Sequence, residues 1–289
     1  GGRLLRRWLN NPLRCIKTLH QRQDFIAQAI ETDVTEALQL ALKPIGDIER
    51  ILPRIALRSA RPRDLSRLSA SLQALPQLQQ HLILLGAAKS VSLAKNIKQF
   101  PELVKLLDQA IIENPPVIIR DGGVIAEGYD AALDELRSLG GDGRRAMPML
   151  EARYRDQTGI SGLKIKHNNV LGYHIEVSAK NADPLMVADS GFTHRQTLSG
   201  VVRFNAPELH ELAMKVTQAG SHALAAEAAH LEELTALTLA SAQAIAATAD
   251  VLARLDVASA LADRAIEGDW CRPSFVADAR FDVTAGRHP

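Results

Sequence analysis

Between Ala219 and Ala247 the chain carries twelve alanines and no proline. This stretch constrains the fold more than any other. Alanine is the best helix former, and its small side chain lets a neighbouring helix come close. Pro207-Glu208 suits a first helical turn. The pattern therefore predicts one helix from about Pro207 to Ala247, interrupted in composition only by Gly220. At 1.5 Å per residue, a helix of about 40 residues is about 60 Å long. A second helix is expected over Val251 to Glu267.

The first half is also helical by apolar spacing. Leu4, Leu5, Trp8 and Leu9 share one face, up to Asn11-Pro12. Helical spacing returns from about Thr18 to Leu42 and stops before Pro44 and Gly46. Asp47 is the expected N-cap of a run from Ile48 to Ser59, kinked at Pro53. Further helices are expected over Asp64 to Gln80, bent or ended by Pro76, and over Glu102 to Ile112. Pro62, Gly86 and Pro101 mark linkers. Val117 to Arg120 and Val124 to Glu127 flank Asp121-Gly122-Gly123, which predicts a β-hairpin. A helix from Tyr129 to Leu139 follows. Gly140-Gly141-Asp142-Gly143 is expected to interrupt it as a flexible loop before the pattern resumes towards Tyr154 and Gln157.

At about Gly159 the period changes from 3.6 to 2. Leu163 to His167 and Tyr173 to Ser178 alternate apolar and polar residues around the turn Asn168 to Gly172. Phe192 to Leu198 and Val201 to Asn205 follow, with Ser199-Gly200 between them. We read these as an antiparallel meander. The fold class is therefore mainly α, with long helices and a small antiparallel β module inserted between them, as at the end of a stalk.

Composition narrows the chemistry. Of 289 residues, 46% are hydrophobic and 23% charged, which excludes a disordered chain. A net charge of +1 excludes a uniformly basic nucleic-acid coat but allows a local basic patch. Cys15 and Cys271 are too few for a disulfide scaffold or a multi-cysteine zinc site. No apolar run approaches the ~20 residues that span a bilayer, and no signal peptide is recognisable. The chain starts Gly1-Gly2 and stops at Gly286-Arg287-His288-Pro289, and we read it as part of a longer protein. No phosphate loop, nucleophile elbow, metalloprotease or dinucleotide motif is present. His167, His174, His194 and His210 are spread over strands and a helix start, without the tight spacing of metal ligands.

Charge in the β module is more informative. From Gly159 to Ile175 there are Lys164, Lys166, His167 and His174, with no acid until Glu176. From Ser190 to Pro207 there are His194, Arg195 and Arg203, again without an acid. Asn168, Asn169, Thr193, Gln196, Thr197 and Ser199 add amides and hydroxyls. Such groups suit phosphate oxygens, a contact that carries no sequence information. A solvated sheet face is the plainer reading of the spacing, with a phosphate-facing one as the alternative. Arg50, Arg54 and Arg58, four apart, read as a solvated or salt-bridged helix face, with an anionic partner as the alternative.

Several runs together resemble the core of the MutS family of DNA mismatch-repair proteins. They are Gly46 to Ile51, Arg61 to Leu65, Asp121 to Tyr129, Leu163 to Asn168, Gly172 to Val177, His194 to Leu198 and Thr284 to Pro289. The similarity is collinear over essentially the whole chain. It implies a core or lever domain over residues 1–157 and 216–283, a clamp domain over 158–215, and the start of an ATPase domain over 284–289. It further implies a non-enzymatic piece that holds double-stranded DNA, for which the charge and amide pattern of the β module offers Lys164, Lys166, His167, Asn168, Asn169, Arg195, Gln196, Thr197 and Arg203. ATP and Mg would bind in the ATPase domain of the whole protein, which is expected to be a homodimer that works with MutL in the bacterial cytoplasm, associated with the nucleoid. Phe100-Pro101-Glu102 matches the letters of the family's mismatch probe, but Pro101 reads as the first turn of a core helix.

Overall fold

The computed structural model describes residues 1–84 and 88–286. The linker expected at Gly86 and the closing Arg287-His288-Pro289 lie outside the described residues. The chain forms two compact units, one of residues 1–117 together with the stretch from Glu232 onward, the other of residues 118–231.

The first unit is helical: α1 Gly2–Asn10, α2 Ile16–Glu31, α3 Thr35–Leu42, α4 Ile48–Ala56, α5 Pro62–Gln73, α6 Leu75–Leu84, α7 Ala88–Asn96 and α8 Pro101–Ala110. Its core follows from leucine spacing. Leu65, Leu68, Leu72, Leu75, Leu78 and Leu82 lie three or four apart and are fully buried. The row continues across a break because Pro76 has no N–H to extend α5, and it sits instead in the first turn of α6. Asp47 caps α4 as expected, its carboxylate accepting the Arg50 N–H. The pattern from Thr18 to Leu42 divides into α2 and α3 at Asp33, which takes a left-handed φ of 50°.

Two members of the arginine row are salt-bridged. Arg54 donates to the buried Asp64 at 2.9 Å, Arg58 pairs with Glu232 at 2.7 Å, and Arg63 Nε donates to the Pro115 carbonyl. Arg58 lies past the end of α4, at φ 50°, so Arg50, Arg54 and Arg58 do not share one helical face.

The long alanine-rich stretch forms two helices, α10 Pro207–Ala240 and α11 Ala242–Gly268. The single helix expected to reach Ala247 stops early for a local reason. The Thr238 hydroxyl donates to the Leu234 carbonyl at 2.7 Å, and Ser241 N–H bonds to Thr238 O, one residue short of the helical partner. Such hydroxyl competition bends helices, and a bend separates α10 from α11. Among the described residues no single helix is long and apolar enough to cross a membrane. α11 packs against α2, α3 and α4, burying Ile245, Leu252, Leu255 and Ala262.

The second unit begins with a strap. The hairpin expected around Asp121-Gly122-Gly123 does not form; Ile119–Asp121 is a 3-10 turn, and Gly122 and Gly123 both have φ 70°. The amide groups a hairpin would use are taken by the buried Glu227 of α10, which accepts from Gly123 N–H at 3.0 Å and Val124 N–H at 2.8 Å. Arg137 pairs with Glu227 at 2.7 Å and also donates to the Ile125 carbonyl.

Helix α9 spans Ala131–Thr158 without interruption. The loop expected at Gly140 to Gly143 is helical and packs against α10. A Cβ on Gly143 would lie 2.4 Å from Val216 Cγ2, and one on Gly140 3.8 Å from Ala219 Cβ.

The sheet follows: β1 Lys164–Asn168, β2 Gly172–Ser178, β3 Thr193–Leu198 and β4 Val201–Asn205, all antiparallel. Its order is β1-β2-β4-β3, so it is not the simple meander expected. The connection from β2 to β3 makes two 3-10 turns, buries Ala182 and Leu185, and delivers β3 to the far side of β4. One face of the sheet, with Ile175, Val177, Val202 and Phe204, packs in one core with Met147, Leu150 and Tyr154 of α9 and Leu209 of α10.

Candidate nucleic-acid interface

Strand alternation sorts the candidate residues by face. On β1, Ile165 packs on the core, which turns Lys164, Lys166 and Asn168 to the opposite, outer face. On β4, Val202 and Phe204 point inward, leaving Arg203 outside. Gln196 is the register partner of Arg203 and shares its face. The outer face therefore carries Lys164, Lys166, Asn168, Arg203 and Gln196.

Glu176 sits in the middle of that face. The register pairs Lys164 with Glu176 and Lys166 with His174. The Glu176 carboxylate accepts from Lys166 Nζ at 2.5 Å and from Arg203 Nε at 3.2 Å, and Arg203 NH1 donates to Gln196 Oε1 at 3.0 Å. The Lys166 ammonium, with Arg203, holds the Glu176 carboxyl below the usual carboxylate range. His174 is 2% exposed; its Nδ1 faces the Gly172 carbonyl, and its Nε2 lies 4.0 Å from Glu176. The windows that looked free of acid in sequence thus share one half-buried carboxylate across the strands.

The remaining candidates lie elsewhere. The His167 ring lies against Tyr173, centroids 4.8 Å apart and planes tilted by 57°, on the core side of the sheet. Thr197 is also on that side, its hydroxyl 2.9 Å from His194 Nε2. Asn168 shapes the β1–β2 turn: its Oδ1 accepts from the Val170 and Leu171 N–H groups at 2.9 and 2.7 Å. Asn169 is exposed beside it. Arg195 occupies a β-bulge between His194 and Gln196 and is exposed. Among the described residues, Lys164 and Arg195 carry no ion pair, and no cluster of His, Cys, Asp and Glu is placed to hold a metal ion.

Two anchors set where this face stands. Glu151 of α9 accepts the Ile165 N–H at 2.7 Å, and Arg155 donates to the Leu163 carbonyl at 2.7 Å, tying β1 to α9. Sequence reading missed Glu176 and Glu227. Glu227 could have been suspected as a lone acid among alanines. Glu176 could have been found from the turn, because pairing Asn168 with Gly172 brings Glu176 opposite Lys164.

The model of the family MutS domain III matches residues 1–262. A DNA mismatch repair protein MutS from Zymomonas mobilis is 48% identical over 292 residues, covering 100% of this chain and 34% of the relative. One from Erythrobacter litoralis is 48% identical over 254 residues, covering 87% of this chain and 29% of the relative. The chain therefore spans about a third of the length of these curated relatives. On the extent of the family match and the identity of these relatives, the chain belongs to the MutS domain III family.

Proposed function

We propose that this chain is the lever and clamp region of a mismatch-repair protein, and that its β module holds duplex DNA through backbone phosphates without reading sequence. The observation that carries this reading is the pair of exposed cations on the two edge strands, Lys164 on β1 and Arg195 on β3, neither with an ion pair among the described residues. Neighbouring amides at Asn169 and Gln196 add donors of the kind that position a protein on phosphates. Nucleotide chemistry is assigned to the part of the parent outside this chain, which spans about a third of the length of its relatives. In that parent, duplex held at the module is coupled to ATP turnover, the assembly is a homodimer, and MutL is its protein partner.

The test is a salt titration of duplex binding by the full-length parent. Each neutralised phosphate contributes about 0.9 to the slope of log affinity against log salt. Replacing Lys164 and Arg195 by Glu is expected to weaken binding equally across sequences and to reduce the slope by about one unit per lost contact. Unchanged slope and affinity would leave the β module as a mechanical or protein-binding tip.

A further inference from the structure

We propose that Glu176 is a built-in competitor for DNA phosphate, which holds Lys166 and Arg203 in reserve and limits how tightly the β module grips a duplex. The inference rests on the phosphate-binding reading above and adds to it a residue that regulates the same face.

The geometry separates the cations into two classes. Lys164 and Arg195 carry no ion pair among the described residues. Lys166 and Arg203 both donate to one carboxylate, at 2.5 and 3.2 Å. That carboxylate belongs to a side chain only 13% exposed, so its pairing is far less screened than a surface contact. Arg203 is further fixed by Gln196 at 3.0 Å. A phosphate approaching this face meets a cluster of two cations and one anion. To engage Lys166 or Arg203 fully it must take the place of Glu176. His174 does not take over the displaced carboxylate: its Nδ1 faces the Gly172 carbonyl at 3.0 Å and so carries the ring N–H, which leaves Nε2, 4.0 Å from Glu176 Oε2, an acceptor. The exchange replaces an internal anion by an external one, so Lys166 and Arg203 are not left bare. The charged and titratable groups here are Lys164 and Lys166 of β1, His174 and Glu176 of β2, and Arg203 of β4.

The test uses the full-length parent with four variants, scored by duplex affinity and by the slope of log affinity against log salt. Glu176→Gln keeps the side chain's size and removes its charge. Affinity is expected to rise three-fold or more, with a steeper slope by about one unit for each cation released. Lys166→Gln in the otherwise unchanged protein is expected to alter affinity less than two-fold. The same change added to Glu176→Gln removes most of the gain. If Glu176→Gln lowers the melting temperature, the Lys166→Gln variant still decides: a large loss of affinity there means that Lys166 already holds phosphate and Glu176 competes with nothing. An unchanged affinity and slope in a folded Glu176→Gln variant overturns the proposal as well. Lys164→Glu with Arg195→Glu is the separate control. If that variant binds as before, the phosphate-binding reading itself fails; if it weakens while Glu176→Gln changes nothing, only the competitor role falls.

Discussion

Gly143 of α9 faces Val216 of α10 at a distance that leaves no room for a side chain: a Cβ built on Gly143 would lie 2.4 Å from Val216 Cγ2. Val216 is only 9% exposed and, being β-branched, has little rotamer freedom in a helix. Gly143→Ala should therefore destabilise the second unit by about 1–2 kcal/mol, overpacking outweighing the gain in helix propensity. Combined with Val216→Ala the sign should reverse, because the obstacle is gone and alanine's propensity advantage of up to about 1 kcal/mol remains. Denaturant unfolding of the four members of this cycle tests the packing; a destabilising Gly143→Ala in the Val216→Ala background contradicts it.

The Glu227 carboxylate satisfies two backbone amides and Arg137 from within the unit, with 2% of its surface exposed. Replacing it by Ala strips three donors of their acceptor. The expected loss is about 3 kcal/mol, typical of breaking one side of a buried pair. Hydrogen exchange should locate the damage: the Gly123 and Val124 amides lose protection first. Protection unchanged at these two amides would mean that the strap does not depend on Glu227.

Asn168 separates a structural role from a binding role. Its Oδ1 accepts two backbone N–H groups in the β1–β2 turn. Asn168→Ala should cost about 1 kcal/mol of stability through loss of that turn. Asn168→Asp keeps the acceptor and so should keep stability, while placing a negative charge beside the proposed DNA face. Weaker duplex binding in a fully stable Asp variant is the expected result, read by melting and by DNA titration side by side.

Acid should weaken the fold through specific carboxylates. His230 holds Asp130 below its ordinary range, Lys166 does so for Glu176, and Arg3 for Asp47. A carboxyl with a depressed folded-state pKa stabilises the fold above its unfolded value, and that contribution disappears as pH falls through the folded value. Stability should hold from neutral pH to about pH 5, then decline as pH passes about 4, the ordinary carboxylate range, and continues lower. Urea unfolding across pH 7 to 3 tests this. The decline should be shallower in Glu176→Gln, which has one fewer such group.

Much of this was legible in the sequence. The strand boundaries followed from period-2 alternation, and Asp47 was recognisable as a cap from its position before Ile48. What failed were elements whose conformation is set by a distant partner. Asp121-Gly122-Gly123 carries local hairpin chemistry, but Glu227, about a hundred positions later, takes its amides. Gly140 to Gly143 reads as a loop until Val216 and Ala219 supply a helix to pack against. The charge balance of the candidate face was not legible for the same reason. Charge was counted along the chain, whereas the cations of β1 and β4 meet the acid of β2 sideways.

The two outer strands of the β1-β2-β4-β3 sheet each carry a device against growth. At β1, Glu151 takes the Ile165 N–H and Arg155 engages the Leu163 carbonyl, so part of the strand's free rim is already bonded. At β3, the bulge at Arg195 puts an extra charged residue out of register with any newcomer. Unpaired rims of this kind otherwise recruit strands from other chains and seed ribbon-like polymers. Where many copies meet at high concentration, these two strands keep each module separate from its neighbours. An arginine proposed to hold phosphate then also helps keep the chain free of fibrils.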